Sequence, residues 1–143
     1  MILIEQNAER RLLAELRRIE PVAHNCCLQL KLSRYGMAAR TLVVDAQNAA
    51  RRRIGANGRQ LYMCADGDIF ILASHISREE TEQLAAELAQ RMGLNSANGV
   101  LDAYGLELGA GELLPIVQAK LERKQQLELA CASVAGDALR KQA

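Results

Sequence analysis

Few side chains in this chain could do chemistry, and their spacing limits what that chemistry can be. Cys26, Cys27, Cys64 and Cys131 are its four cysteines, with no Cys-x-x-Cys pair among them. On a strand, Cys26 and Cys27 point to opposite faces and cannot readily chelate one ion together. Free thiols in a reducing compartment are therefore expected, with no metal site. His24 and His75 fall at element boundaries without further ligands near them, so neither is expected to bind metal or act in catalysis. No convergent set of Ser, His, Cys and acid supports another enzyme chemistry. The remaining candidates are Asp66 and Asp68. They flank Gly67 between the apolar runs Leu61-Tyr62-Met63-Cys64 and Ile69-Phe70-Ile71-Leu72, and Asp-Gly between two such runs is a strong β-hairpin signal.

The elements around that hairpin follow from periodicity. Leu12, Leu16 and Ile19 recur at helical spacing, and Pro21 stops the run, which predicts an N-terminal helix within residues 3–20. From His24 to Ser33 the pattern alternates, with Leu28, Leu30 and Leu32 on one side and Cys27, Gln29, Lys31 and Ser33 on the other, as in a half-buried strand. A second helix is expected from Ala38 to Ile54, closed by Gly55-Ala56-Asn57-Gly58. Ser77 and Glu80 fit a capping box ahead of Leu84, Leu88 and Met92, so a third helix ends near Gly93. Val100 to Leu108 reads as a short strand. Pro115 fits the first turn of a last helix over 112–135 that shows Leu114, Val117 and Leu121, then a shifted row at Leu127, Cys131 and Val134, with Gly136 fraying its end. The order is α, then β-α-β-β-α-β, then α. The fold class expected is α+β, a ferredoxin-like antiparallel sheet with helices on one face plus the two terminal helices. Residues 1–143 form one domain with its core at 24–109.

Composition narrows the function classes. Half of the residues are apolar, and 18 basic against 17 acidic residues leave a formal net charge of +1. Nothing in that balance asks for nucleic acid or an anionic membrane. Arg51-Arg52-Arg53, like Arg10-Arg11 and Arg17-Arg18, reads as a solvated helix face. Tyr62 could stack a base, but one aromatic, with Lys31 as the basic strand position and no Arg-Gly-Phe signature, does not make a nucleic-acid platform. No apolar run approaches the roughly 18 residues of a membrane span. Met1-Ile2-Leu3-Ile4 meets charged residues without a signal-peptide pattern, so a cytoplasmic location is expected.

Asp66-Gly67-Asp68-Ile69-Phe70 resembles the G-G-[D/E]-E-F hairpin of the diguanylate cyclase palm domain, keeping the second Gly, the third-position acid and the Phe. The resemblance covers about Leu28 to Leu108 in outline, with residue-level matching at the hairpin. Palm cyclases join nucleoside triphosphates with two metal ions held by carboxylates of the first strand and the hairpin. Here the fourth-position acid is Ile69 and the first strand has no acid. Lys31 is expected to pair with Asp68. The R-x-x-D product site has no counterpart, since Tyr62 stands three positions after Arg59. The first-strand D-x-D-x-F-K and the downstream Asn-Asp are also missing. The resemblance thus implies a degenerate GGDEF-like domain that is not an enzyme, holds no cofactor and has a regulatory role in bacterial signalling.

A two-residue turn at Asp66-Gly67 would pair Cys64 with Ile69, Met63 with Phe70, Tyr62 with Ile71 and Leu61 with Leu72. Leu61, Met63, Phe70 and Leu72 would then pack under two helices. Tyr62, Cys64, Ile69 and Ile71 would make an apolar open face, covered by a terminal helix or a partner subunit. The function expected is a regulatory or adaptor module acting through protein contacts, self-associating as a homodimer or other homo-oligomer. Its interface would draw on Tyr62, Cys64, Ile69, Ile71, Leu121 and Leu127. The alternative is a sensor that binds GTP or cyclic di-GMP without turnover.

Overall fold

A computed structural model describes residues 2–21, 24–35, 40–107 and 109–142. Its strands are β1 (Ile2–Ile4), β2 (Asn25–Leu30), β3 (Gly58–Met63), β4 (Ile69–Ser74) and β5 (Leu101–Gly105). Its helices are α1 (Ala8–Arg18), α2 (Arg40–Ile54), α3 (Arg78–Arg91) and α4 (Leu113–Gln142). They build an α+β fold around a five-stranded mixed sheet in the order β1-β3-β4-β2-β5. The four strands β3-β4-β2-β5 pair antiparallel throughout, an arrangement compatible with the ferredoxin-like order. Among the described residues no helix is long and apolar enough to cross a membrane.

Local chemistry explains most of these elements. Ser77 Oγ accepts the Glu80 N–H at 3.1 Å and starts α3, the expected cap. Leu28 and Leu30 of β2 face α2 and α3, while Cys27 and Gln29 face the opposite side. Residues 38, 39 and 108, expected at the ends of a helix and a strand, lie outside the described residues. Several boundaries differ from expectation: β2 ends at Leu30, short of Ser33, where a 3-10 turn over Leu32–Tyr35 takes the chain out of the sheet, and β5 is confined to Leu101–Gly105. Residues 2–4 are not helical. They form β1, which runs parallel to β3 with Leu3 opposite Leu61, and α1 begins at Ala8 after Asn7 adopts a left-handed conformation with φ 53°. Apolar, largely β-branched residues beside an open sheet edge gain more from the ladder than from extending a helix. At the other end α4 runs through Gly136 to Gln142, because one glycine costs about 1 kcal/mol against good helix formers on both sides.

The hairpin corrects the expected register. Met63 pairs with Ile69, Tyr62 with Phe70, Leu61 with Ile71 and Gln60 with Leu72. The loop has three residues, Ala65-Asp66-Gly67, closed by Gly67 N–H to Cys64 O at 3.1 Å and Cys64 N–H to Asp68 O at 2.9 Å. Gly67 sits at φ +97°, as a type I turn followed by a bulge requires. A slip of one residue moves a whole strand's side chains to the other face. Ile69 and Ile71 therefore join Leu61 beneath α2 and α3. Phe70 and Leu72 join Tyr62 and Cys64 beneath α1 and α4. The sheet has no open face over these strands. α1 and α4 cover the side that faces away from α2 and α3, through Leu12, Leu13, Leu16, Leu113 and Val117.

Candidate functional site

The hairpin turn carries Asp66 and Asp68 into the seam between the sheet and α4. Asp68 is 2% exposed. Its Oδ1 accepts the Ser33 N–H at 2.9 Å, and its Oδ2 accepts Gln29 Nε2 at 3.1 Å and Lys120 Nζ at 2.8 Å. The same ammonium donates to Asp66 Oδ2 at 2.5 Å, and Asp66 Oδ1 accepts the Asp68 N–H at 3.0 Å. Lys120 thus holds both acids of the turn. From Gln29 the network continues sideways. Its Oε1 accepts the Tyr104 hydroxyl at 3.1 Å, and Asp102, next along β5, is ion-paired with Lys31. On the other flank Glu9 of α1, 2% exposed, accepts the Ala65 N–H at 2.6 Å and lies 3.6 Å from Lys124 Nζ. Among the described residues no buried side-chain nitrogen or oxygen lacks a partner.

The expected Lys31–Asp68 pair is therefore not formed. Asp102 on the neighbouring strand captures Lys31, Gln29 stands between, and the cation on Asp68 comes from α4. Burial raises the Asp68 pKa, but the hydrogen bonds from Lys120, Ser33 and Gln29 outweigh it and hold the carboxyl below its usual 3.8. Burial likewise lowers the Lys120 pKa, and the bonds to Asp66 and Asp68 overcome it, leaving the ammonium above its usual 10.5.

A carboxyl with a depressed folded pKa contributes stability that is complete above the unfolded value and disappears as pH falls through the folded one. A lysine with a raised pKa contributes stability that is complete below its unfolded value and disappears as pH rises through the folded one. Stability from this pair should therefore fade below pH 3.8 and above pH 10.5. Denaturant unfolding at a series of pH values checks this. The Asp68→Asn variant should show a shallower acid-side loss than the wild type, and identical acid limbs would count against the pair.

The other residues singled out in the sequence are dispersed. Ile69 and Ile71 are buried against α2 and α3, and Phe70 against α1 and α4. Tyr62 is buried beside α1, with its hydroxyl on Gln60 Oε1 at 2.7 Å, and its pKa is pushed up to about 12 by burial and by Glu15. Cys64 and Cys27 are buried, which pushes both thiols up and leaves them protonated at neutral pH. Leu121 is half-buried against the α1 cluster, and Leu127 is 60% exposed. His24 and His75 stack at the ends of β2 and β4 with ring centroids 5.1 Å apart. Among the described residues no group of three or more His, Cys, Asp or Glu is placed to share a metal ion.

Comparison with protein-family models, with curated proteins and with solved structures finds no match.

The site must therefore be read from its own residues, and sequence reasoning missed Lys120, Glu9, Gln29, Ser33 and Tyr104. Two of these carried a signal. Lys120 stands in the row Leu113, Val117, Leu121, and Glu9 in the row Leu12, Leu13, Leu16. A charge inside an apolar helical row is buried if the row is, and a buried charge needs a partner. Beside the turn a groove of about 830 Å³ opens between the hairpin and α4, lined by Arg34, Asp66, Lys120, Arg123, Lys124 and Leu127 among others.

Proposed function

We propose that this chain is a non-catalytic, GGDEF-like regulatory or adaptor module of ferredoxin-like, palm type that acts through protein contacts and self-associates. The observation that carries the reading is Lys120, whose ammonium is bonded to both Asp66 and Asp68 beneath α4. Two-metal phosphoryl chemistry needs carboxylates free to hold cations and an open face to admit a triphosphate. A lysine from the same chain occupies the one and a helix fills the other. Asp68 is then a structural acid, and its role is to fix α4 to the hairpin.

Incubation of the protein with GTP and Mg²⁺, followed by chromatography of the products, should show no turnover. Calorimetric titration with GTP or cyclic di-GMP should show no saturable binding. The groove beside Asp66, with Arg34 and Arg123 along it, favours the second reading, a nucleotide sensor without turnover. Saturable binding that is lost on Asp68→Ala would establish the sensor in place of the adaptor.

A further inference from the structure

The ends of β2 and β4 bring two imidazoles together. The antiparallel register pairs Asn25 with Ser74, and one step further the His75 N–H donates to His24 O at 2.9 Å. His24 and His75 are thereby held opposite each other, both exposed, with ring centroids 5.1 Å apart and planes 25° from parallel. Both backbones are left-handed, with φ 71° and 59°. That conformation is uncommon outside glycine, and two facing residues that adopt it mark a strained end to the ladder. The sequence sets no ligand beside either histidine; the fold gives each the other.

The separation of the rings is that of two imidazoles sharing one ion. An imidazole nitrogen binds zinc at about 2.0–2.1 Å with its ring centre about 1.2 Å behind it, so each centre lies about 3.2 Å from the ion. At the tetrahedral angle two such rings stand about 5.2 Å apart, against the 5.1 Å found here. Rotation about χ2, a soft torsion, is what aims one nitrogen of each ring at the shared point. Among the described residues no third His, Cys, Asp or Glu completes the set, and both residues are exposed, so water takes the remaining positions. Neutral nitrogen donors select zinc, copper or nickel over oxygen-seeking magnesium or calcium. The pair lies beyond the last residue of β4 and the acids of the turn lie ahead of its first, about 20 Å away along the strand.

We infer that His24 and His75 form a two-histidine site for a divalent transition-metal ion of the zinc type, which clasps the ends of β2 and β4. The site is separate from the acids of the turn and does not rest on the protein-contact reading. Calorimetric titration of the untagged full chain with Zn²⁺ should show one saturable site per chain, and the same titration with Mg²⁺ none. His24→Asn and His75→Asn each keep a residue at ease in the left-handed region. Each should weaken Zn²⁺ binding at least tenfold with an unchanged far-UV spectrum. Cys131→Ser, which removes the exposed thiol, should leave binding as it is. Because the ion joins two strands, saturating Zn²⁺ should raise the thermal midpoint of the wild type more than that of either asparagine variant. The chain has two histidines, so their ring-proton NMR signals report on the wild type directly, and both should shift as Zn²⁺ is added. Absence of saturable binding, ring signals that stay in place, or binding that both asparagine variants retain would overturn the inference. Binding lost with Cys131→Ser would overturn it as well, by moving the site to that thiol.

Discussion

Replacing Lys120 by Met should cost about 3 kcal/mol of folding stability, although the residue is not part of either apolar cluster. Its ammonium is the cation on Asp68, whose side chain is 3% exposed, and the lysine side chain itself is 16% exposed. Removing one partner of a buried pair leaves the other charge uncompensated, which typically costs about 3–5 kcal/mol. The lower end applies here, because Asp66, the second carboxylate, is 34% exposed and can turn to water. Urea unfolding measures the loss. Asp68→Asn placed in the Lys120→Met background should recover part of it, since asparagine keeps an oxygen for the Ser33 N–H and carries no charge. If the double variant were no more stable than Lys120→Met, packing of the lysine stem, not its charge, would be what holds α4.

Ile69→Glu should be more damaging still. It restores an acid at the hairpin position where the resemblance calls for one, but it should not restore a metal site. Ile69 is fully buried and points to α2 and α3, whereas Asp68 points the other way, to α4. The new carboxyl would have to stay protonated. Bringing a group with an ordinary pKa near 4.3 to neutrality at pH 7, at 1.36 kcal/mol per unit, costs about 4 kcal/mol. Lost packing adds to this, for a total of about 5 kcal/mol. Domains of this kind have roughly 5–15 kcal/mol in hand, so the variant should be marginal. Its carboxyl pKa is raised in the folded state, so the deficit relative to wild type grows as pH rises above about 4.3 and shrinks below it. A thermal melt series across pH checks both sign and size. A variant as stable as wild type at pH 7 would mean that Ile69 faces water.

How much of this was legible in the sequence varied with the range of the interaction. Ser77 as a cap and the alternation of Leu28 and Leu30 are local signals, and they located α3 and β2, although the alternation ran on through Leu32, which lies in a 3-10 turn after β2 has ended at Leu30. The Asp-Gly turn located the hairpin but not its register. Cys64-Ala65-Asp66-Gly67-Asp68 suits both a two-residue and a three-residue loop, and the bond from the Asp68 N–H to Asp66 Oδ1 accompanies the three-residue form. That one-residue difference reassigned Phe70, Leu72, Ile69 and Ile71 between faces. β1 was invisible because its partner β3 lies more than fifty residues away, and pairing at that distance leaves no periodicity in a three-residue segment. For the same reason Asp68 and Lys120 carried no mark of each other. The site was half legible: its two acids stood out at the turn, while the cation that pairs with both was hidden as one lysine in an apolar row.

The most direct test of the account is light scattering after size exclusion on the full chain, with and without GTP, cyclic di-GMP and Mg²⁺. A protein whose α4 is fastened over the acids of the turn, and whose contacts are with protein, should run as a stable dimer whose mass and elution ignore every ligand. A monomer whose elution shifts on adding nucleotide would contradict it, because Asp68 and the face around it would then be open to ligand despite Lys120.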